Sequence, residues 1–421
     1  MEKRTPESKV SPRDSPGEVV RGRPPGRVPL FCLMHCDRDN PPRISQHVPE
    51  LDGIRGIAIL IVMLGHFTIG FTPATSIDKA VMILLQTGWA GVDLFFVLSG
   101  FLITGILIDA RGAPHYFRNF YARRVLRIFP AYYIFLVLFF VVAPITLGRV
   151  VQWPFEAWRS SQWWFWSYAS NLQILFPGWV RPEPLSHFWS LAVEEQFYLF
   201  WPAVVLLATP KWLVRICFLF LVGCVVLRIW MHLSGINPTA GYRITPARLD
   251  TLGAGALLAI GVRRHAVWET IRRWPGRGVV VSLSGLLAIA IPDRGMLQGD
   301  FAMQAAGYSL LALLGVCLIV SSVDPVKRDT RLNRFLRNPI MLFLGKYSYA
   351  MYIIHFPLDW AMENLGWGVS RFPVIMGSAI PAMAMFAVLA GSITAVLALA
   401  SWVIVEKPLL KLKKFFPRPA S

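Results

Sequence analysis

The sequence predicts an all-α membrane protein, a polytopic bundle of about ten transmembrane helices. Three observations predict it. Of 421 residues, 55% are hydrophobic and only 16% charged, a balance that separates the chain from soluble globular proteins. Apolar runs recur along the chain at lengths able to cross the roughly 30 Å hydrocarbon core of a bilayer. The basic residues crowd into alternate connecting segments, as they do when successive loops lie on opposite sides of a membrane.

The elements follow in order. Ile54 to Gly70 gives a first span over 54–72, and Gly91 to Ile108 carries the second, 83–108. Pro130 opens the third, 130–148, whose core is Ala131 to Leu147. The fourth, 187–208, is completed by Phe197 to Ala208, and the fifth to eighth cover 212–233, 247–262, 278–292 and 303–323. Ile340 to Ile354 makes most of the ninth, 340–361. The tenth, 375–404, is long enough to hide a tilt, a kink or two short helices, and Pro381 near its start marks a place for a bend. All are read as helices, because a spanning segment must satisfy its own backbone and none alternates like a barrel strand.

The net charge of +18 invites a nucleic-acid reading, which the placement of the charge removes. With the N-terminus inside, the inner segments hold 31 of the 42 Lys and Arg and the outer segments hold 7. That asymmetry predicts both termini in the cytoplasm and an even number of spans. Residues 1–47, rich in Pro, Arg, Ser and Asp, read as a disordered basic cytoplasmic tail, residues 48–410 as the membrane domain, and 411–421 as a second short basic tail. The N-terminal tail lacks the apolar stretch of a cleaved signal peptide, so the first span is expected to act as the insertion signal.

Five cysteines, Cys32, Cys36, Cys217, Cys224 and Cys317, scatter without an outer-loop pair, which argues against a disulfide framework. Cys32, His35 and Cys36 lie close together, but two thiols and one imidazole with no second cluster do not make a zinc spacing. No metal and no cofactor are expected.

Ionisable residues inside spans are expensive to insert and persist with a partner or a task. In the first span Asp52 and Arg55 stand at the inner end, and His66 follows Arg55 by eleven residues. Eleven steps of about 100° return to nearly the same azimuth about 16 Å along the axis, so one face carries a guanidinium and an imidazole. Imidazole suits proton abstraction from an alcohol near neutral pH. The plainer reading is an arginine that snorkels and a histidine near the outer surface. Asp93, at the outer end of the second span, could orient that imidazole, whereas Ser99 and Gly100 read as close-packing residues.

Arg124 and Arg127, three apart beside Arg118 and Arg123, present two guanidinium forks on one helix face, a clamp for phosphates or ordinary inner anchors. His187, Glu194 and Glu195 enter the fourth span, where Trp189, Phe197, Tyr198 and Trp201 read as an interfacial belt. Arg248 and Asp250, two apart, each call for a partner on another helix, and His355 by itself reads as a core histidine. The outer segment Arg149 to Ser186, rich in Trp and holding Asn171, Gln173 and Glu183, could offer stacking surfaces to sugars or be a plain interfacial loop.

With these blocks in order, Arg55 and His66 as R-x10-H, GVDLFFVLSGFLI, RRVLRIFPAYY, WSLAVEEQFYLFWP, RLDTLGAGALLA and SYAMYIIHFPL, the chain resembles the acyltransferase-3 family of integral membrane O-acyltransferases over roughly residues 48–410. The resemblance implies His66 as the catalytic histidine, Arg55 as its companion, Arg124 and Arg127 as the pair that handles acyl-CoA, and Asp93, Glu194 and Glu195 in the functional core. It implies transfer of an acyl group, acetyl most often, from cytoplasmic acyl-CoA to a hydroxyl of a glycan, a lipid-linked saccharide or another surface acceptor. The expected setting is the bacterial cytoplasmic membrane, with lipids, donor and carbohydrate acceptor as partners. Some relatives carry an extra esterase-like domain after the last span; here acceptor handling is expected to fall to the membrane domain, its outer loops or a separate protein. The rival class is a transporter or permease for a small anionic or acylated solute. Against it, the polar motifs crowd between Asp52 and Glu195 and no internal repeat pairs the halves.

Overall fold

In the computed structural model, which describes residues 47–417 apart from Arg149, Pro177, Asp293, Arg294 and Arg328, a long helix stands at each of the ten predicted places. In chain order these are α1 (Pro49–His66), α2 (Ser76–Asp109), α3 (Tyr116–Leu147), α4 (Glu183–Leu207), α5 (Pro210–Leu233), α6 (Leu249–Gly261), α7 (Pro275–Ala290), α8 (Met303–Val323), α9 (Pro339–Asn364) and α10 (Ile380–Phe415). Among the described residues, six of them, α2 to α5, α8 and α10, are each long and apolar enough to cross a bilayer. α6 and α7 are apolar but shorter. α1 and α9 carry Glu50, Asp52 and Arg55, and Lys346, Asp359 and Glu363, which dilute their apolarity. Length and apolarity thus account for six spans rather than ten. Cys32, His35, Cys36 and the rest of the N-terminal tail before His47 lie outside the described residues.

Local chemistry fixes where the helices begin. Pro210 and Pro339 stand in first turns, where a missing N–H removes no helical hydrogen bond, behind caps from Thr209 and Asn338. At the start of α2, Thr75 and Asp78 form a reciprocal capping box. Asp78 also accepts from the Ser378 hydroxyl at 2.6 Å and the Ala379 N–H at 3.0 Å, which ties that start to the segment preceding α10. Pro381 falls in the first turn of α10, so it starts the helix instead of bending it; the departure from α geometry comes later, in a π turn at Trp402–Glu406.

The outer surface is apolar in helical register. α5 turns Phe218, Leu219, Val222 and Val226 outward and buries Leu213, Cys217, Cys224 and Arg228. This reverses the pattern of a soluble helix, as lipid solvation requires. The predicted aromatic belt on α4 is instead core: Trp189, Phe197, Tyr198 and Trp201 are buried, and the Trp201 indole donates to the Thr104 hydroxyl at 2.8 Å.

Glycine decides how two helix pairs meet. A Cβ on Gly53 or Gly56 of α1 would collide with the carbonyls of Leu336 and Met341, and one on Gly345 of α9 with the carbonyl of Asp52. α1 and α9 therefore lie side by side with their backbones in contact, and the His66–His355 contact further along both shows that they run in the same direction. Gly100 of α2 meets the Leu252 carbonyl, and Gly255 of α6 meets the Val97 carbonyl, in a second close pair. These two pairs place Arg55, His66, His355, Asp93 and Arg248, described below.

Residues 411–417, expected as a short basic tail, continue α10 and fold onto α3. Arg123 donates to the carbonyls of Lys413 at 3.2 Å and Phe416 at 2.8 Å, and the Asn119 amide donates to Pro417 at 3.2 Å.

Candidate active site

A cavity of about 360 Å³ enters the bundle at the end that carries Asp52, Ala110, Arg123 and Lys413. That volume lies within the range of small-molecule sites. Arg55 from α1, Arg124 and Arg127 from α3, and Glu194 and Glu195 from α4 all line it, so five of the seven residues singled out in the sequence share one space. Arg55 is held by Asp52 at 2.8 Å, one turn before it. Arg124 lies over the Tyr198 ring, 3.7 Å from its centre, and lines the cavity with both glutamates. Neither Arg124 nor Arg127 has a carboxylate within ion-pair distance among the described residues. Ser99, expected only to pack, faces the same cavity and hydrogen-bonds the Tyr198 hydroxyl.

His66 is not part of that wall. It sits at the far end of α1 in a cluster with His187 and His355, its ring centre 6.3 Å and 5.0 Å from theirs, and 4.5 Å from the ring of Phe356. The hydrogen bonds define which nitrogen carries each proton. His355 Nδ1 faces the carbonyls of Tyr352 at 2.9 Å and Met351 at 3.1 Å, so it is the protonated nitrogen of that ring. In a neutral ring its Nε2 must then accept, and its partner 3.1 Å away is His66 Nδ1, which also lies 3.1 Å from the Val62 carbonyl. His66 is thereby assigned as the Nδ1–H tautomer, which leaves the Nε2 lone pair free to take a proton. His187 Nε2 donates to the Tyr352 carbonyl at 2.9 Å, and its Nδ1 has no partner among the described residues.

Asp93 does not orient His66. It forms a buried ion pair with Arg248, whose guanidinium also lies 4.3 Å from the centre of the Tyr308 ring and 5.3 Å from that of Tyr242. The cause is the α2–α6 contact, which brings the start of α6 against Asp93. Asp250 takes Arg228 of α5 at 2.7 Å, so Arg248 and Asp250 each find a partner on another helix, as their spacing requires. Glu194 and Glu195 do not orient His66 either, for they face the arginine-lined cavity, and among the described residues no carboxylate hydrogen-bonds the His66 ring.

Sequence reasoning missed His355, because a single histidine in an apolar run carries no periodic signal. The available signal was the register of α1 on α9 implied by their glycines. The outer segment is also more occupied than its composition suggested. Asn171 bonds Thr245 at 2.9 Å and Gln196 at 2.9 Å, and Gln173 donates to the Val180 carbonyl at 3.3 Å. Its amides therefore serve the fold, while Trp163 and Trp179 remain exposed.

A family profile described as an acyltransferase domain, Acyl_transf_3, matches residues 48–402. The Staphylococcus aureus protein named "Putative O-acetyltransferase SACOL0978" is 30% identical over 334 residues, 74% of this chain and 50% of that relative. The peptidoglycan O-acetyltransferase OatA of Listeria monocytogenes is 28% identical over 336 residues, 74% of this chain and 49% of its own. The O-acetyltransferase OatA of Staphylococcus aureus is 27% identical over 345 residues, covering 74% and 51%. This chain spans about half the length of the curated relatives it matches. No solved structure gives a significant match.

Proposed function

Because this chain belongs to the acyltransferase-3 family, we propose that it is a membrane O-acyltransferase that moves an acyl group, acetyl in the simplest case, from acyl-CoA to a hydroxyl of a glycan or lipid-linked saccharide. The observation that carries the reading is the placement of Arg55, Arg124 and Arg127 on one cavity that points into the bundle toward His66. Among the described residues only Asp52 lies within ion-pair distance of these three guanidiniums, although Glu194 and Glu195 share the cavity, and Arg124 and Arg127 are left to meet a polyanion such as the CoA phosphates. In this reading the nucleotide stays at the mouth and the thioester arm enters.

The acceptor hydroxyl approaches His66 from the opposite end. Its oxygen attacks the thioester carbonyl while His66 Nε2 takes its proton; the C–S bond breaks, and the imidazolium returns the proton to the CoA thiolate. His355 holds His66 in the required tautomer throughout. Arg123, Arg124, Arg127 and Lys413 line the cavity, and with the excess of basic residues in alternate connecting segments this supports a cytoplasmic donor side, both termini in the cytoplasm and the cytoplasmic membrane of a bacterium as the location. Peptidoglycan, named for the Listeria relative, is the first acceptor to test.

The test is thiol release from acetyl-CoA by the purified chain in nanodiscs, with muropeptides and lipid-linked saccharides as acceptors. Acetylated product and equimolar free CoA support the assignment. Neither CoA binding nor turnover, in protein shown to be folded, removes it.

A further inference from the structure

The cavity and the histidine cluster do not join. Val92, Phe95, Ser190 and Tyr352 line the cavity, while none of His66, His187 and His355 does. Between them stands Tyr352. Its ring lies 5.2 Å from that of His187 and 5.5 Å from that of His355 on one side, and 6.3 Å from Phe95, a wall residue, on the other. Its hydroxyl is tied at 2.6 Å to the Ser190 hydroxyl and at 3.1 Å to the His187 carbonyl. Its own carbonyl receives both His187 Nε2 and His355 Nδ1, each at 2.9 Å. One residue thus closes the cavity with its side chain and fixes the cluster's tautomers with its backbone.

We propose that Tyr352 is the gate between the acyl-donor cavity and the histidine cluster, and that its ring sets how long an acyl chain can reach His66. The proposal rests on the acyl-CoA reading above. Opening requires the phenol to swing out of line, which breaks two hydrogen bonds to Ser190 and His187 but leaves the backbone carbonyl, and hence the histidine tautomers, in place. The separation has a chemical use. A closed ring keeps a thioester in the cavity, and the water that reaches it there, apart from the general base, so that base-assisted hydrolysis to free acid and CoA thiol does not run before transfer. When the ring opens, the space it vacates is the space the acyl group fills, which makes ring size a chain-length filter. A short acyl group fits; a longer one meets Phe95 and the ring itself.

The experiment compares wild type, Tyr352→Phe, Tyr352→Ala and Ser190→Ala in nanodiscs with acetyl-, butyryl- and octanoyl-CoA. CoA binding, thiol release without acceptor and acyl transfer with acceptor are read separately. Tyr352→Phe keeps the ring and the fold but loses both hydroxyl tethers, so thiol release without acceptor should rise several-fold at unchanged CoA affinity, with a smaller rise in Ser190→Ala. Tyr352→Ala should raise the octanoyl-to-acetyl rate ratio at least tenfold. If all variants bind CoA and turn over as wild type does, with the ratio and the uncoupled release unmoved, the gate is overturned and the donor reading stands. If folded wild type neither binds CoA nor releases thiol, the donor reading falls and takes the gate with it.

Discussion

His355 Nε2 lies 3.1 Å from His66 Nδ1, so the residue that orients the candidate base is a second histidine on α9, 289 positions along the chain. A carboxylate in that place would stabilise an imidazolium by charge. A neutral imidazole instead fixes the tautomer without adding charge, and it requires α1 and α9 to keep their register.

Substitution of the two histidines should therefore separate chemistry from orientation. His66→Ala is expected to lower kcat by about 10²–10⁴-fold with donor affinity unchanged, because the proton acceptor is removed while the arginine cavity is untouched. His355→Gln should lower kcat by roughly ten- to a hundredfold, again without a change in donor KM, since it removes one orienting bond and leaves His66 present. Steady-state kinetics with acetyl-CoA and a saturating acceptor measure both. A His355→Gln protein as active as wild type would remove the orienting role.

The arginine wall predicts the opposite pattern. Arg127→Gln and Arg124→Gln should raise donor KM about tenfold or more with little effect on kcat at saturation, because each loses a charged contact to the polyanion that is present in both ground and transition states. Arg127→Lys should recover only part of the loss, since an ammonium keeps the charge but not the planar fork. Isothermal binding of CoA itself, without acyl chemistry, reads the same effect directly.

Much of this site was legible in the sequence, and the portion that was not has a physical reason. The eleven-residue spacing from Arg55 to His66 encodes a shared helix face without any tertiary information, and the three-residue spacing of Arg124 and Arg127 does the same. Partner choice across helices is different in kind. Proximity of spans makes Asp93 one carboxylate that could orient His66, but its neighbour is decided by Gly100 and Gly255, which draw α2 against α6 and deliver Arg248. The fate of Asn171 and Gln173 likewise depends on Thr245, Gln196 and Val180, which no local pattern connects to them. The fold was read from apolar runs, and α1, which apolarity alone underrates, is diluted in part by Asp52 and Arg55, two residues that line the cavity.

The close approach of those two helices gives a stability prediction. Gly56→Ala and Gly345→Ala each place a methyl against a backbone carbonyl of the facing helix, Met341 and Asp52 respectively, which cannot rotate away. Overpacking of this sort costs about 1–3 kcal/mol. Both variants should unfold at lower temperature in detergent, and both should lose kcat beyond the loss of folded protein, because the separation that relieves the clash also lengthens the His66–His355 contact. Thermal unfolding by tryptophan fluorescence and activity per folded molecule distinguish the two effects. Gly112, with open space around its Cβ position but φ of 78°, is the contrasting site: Ala there should cost backbone strain and leave the histidine geometry alone.

The Asp93–Arg248 pair supplies the last test, because its value to the fold and its value to catalysis make different demands. Both side chains are buried, with Tyr308, Tyr242 and Phe96 around the guanidinium. Removing one partner leaves a buried charge uncompensated, so Asp93→Ala and Arg248→Ala are each expected to destabilise by about 3–5 kcal/mol. Replacing both with apolar residues of similar volume, Asp93→Leu with Arg248→Met, removes the charge and its partner together and should recover most of that loss. If the pair serves only packing, the double variant should also recover kcat per folded molecule. If the double variant folds as wild type does yet stays inactive, the carboxylate has a chemical task that its ion pair conceals, and Asp93 returns to the catalytic set. Denaturation midpoints and single-turnover acyl transfer on the three variants decide between these outcomes.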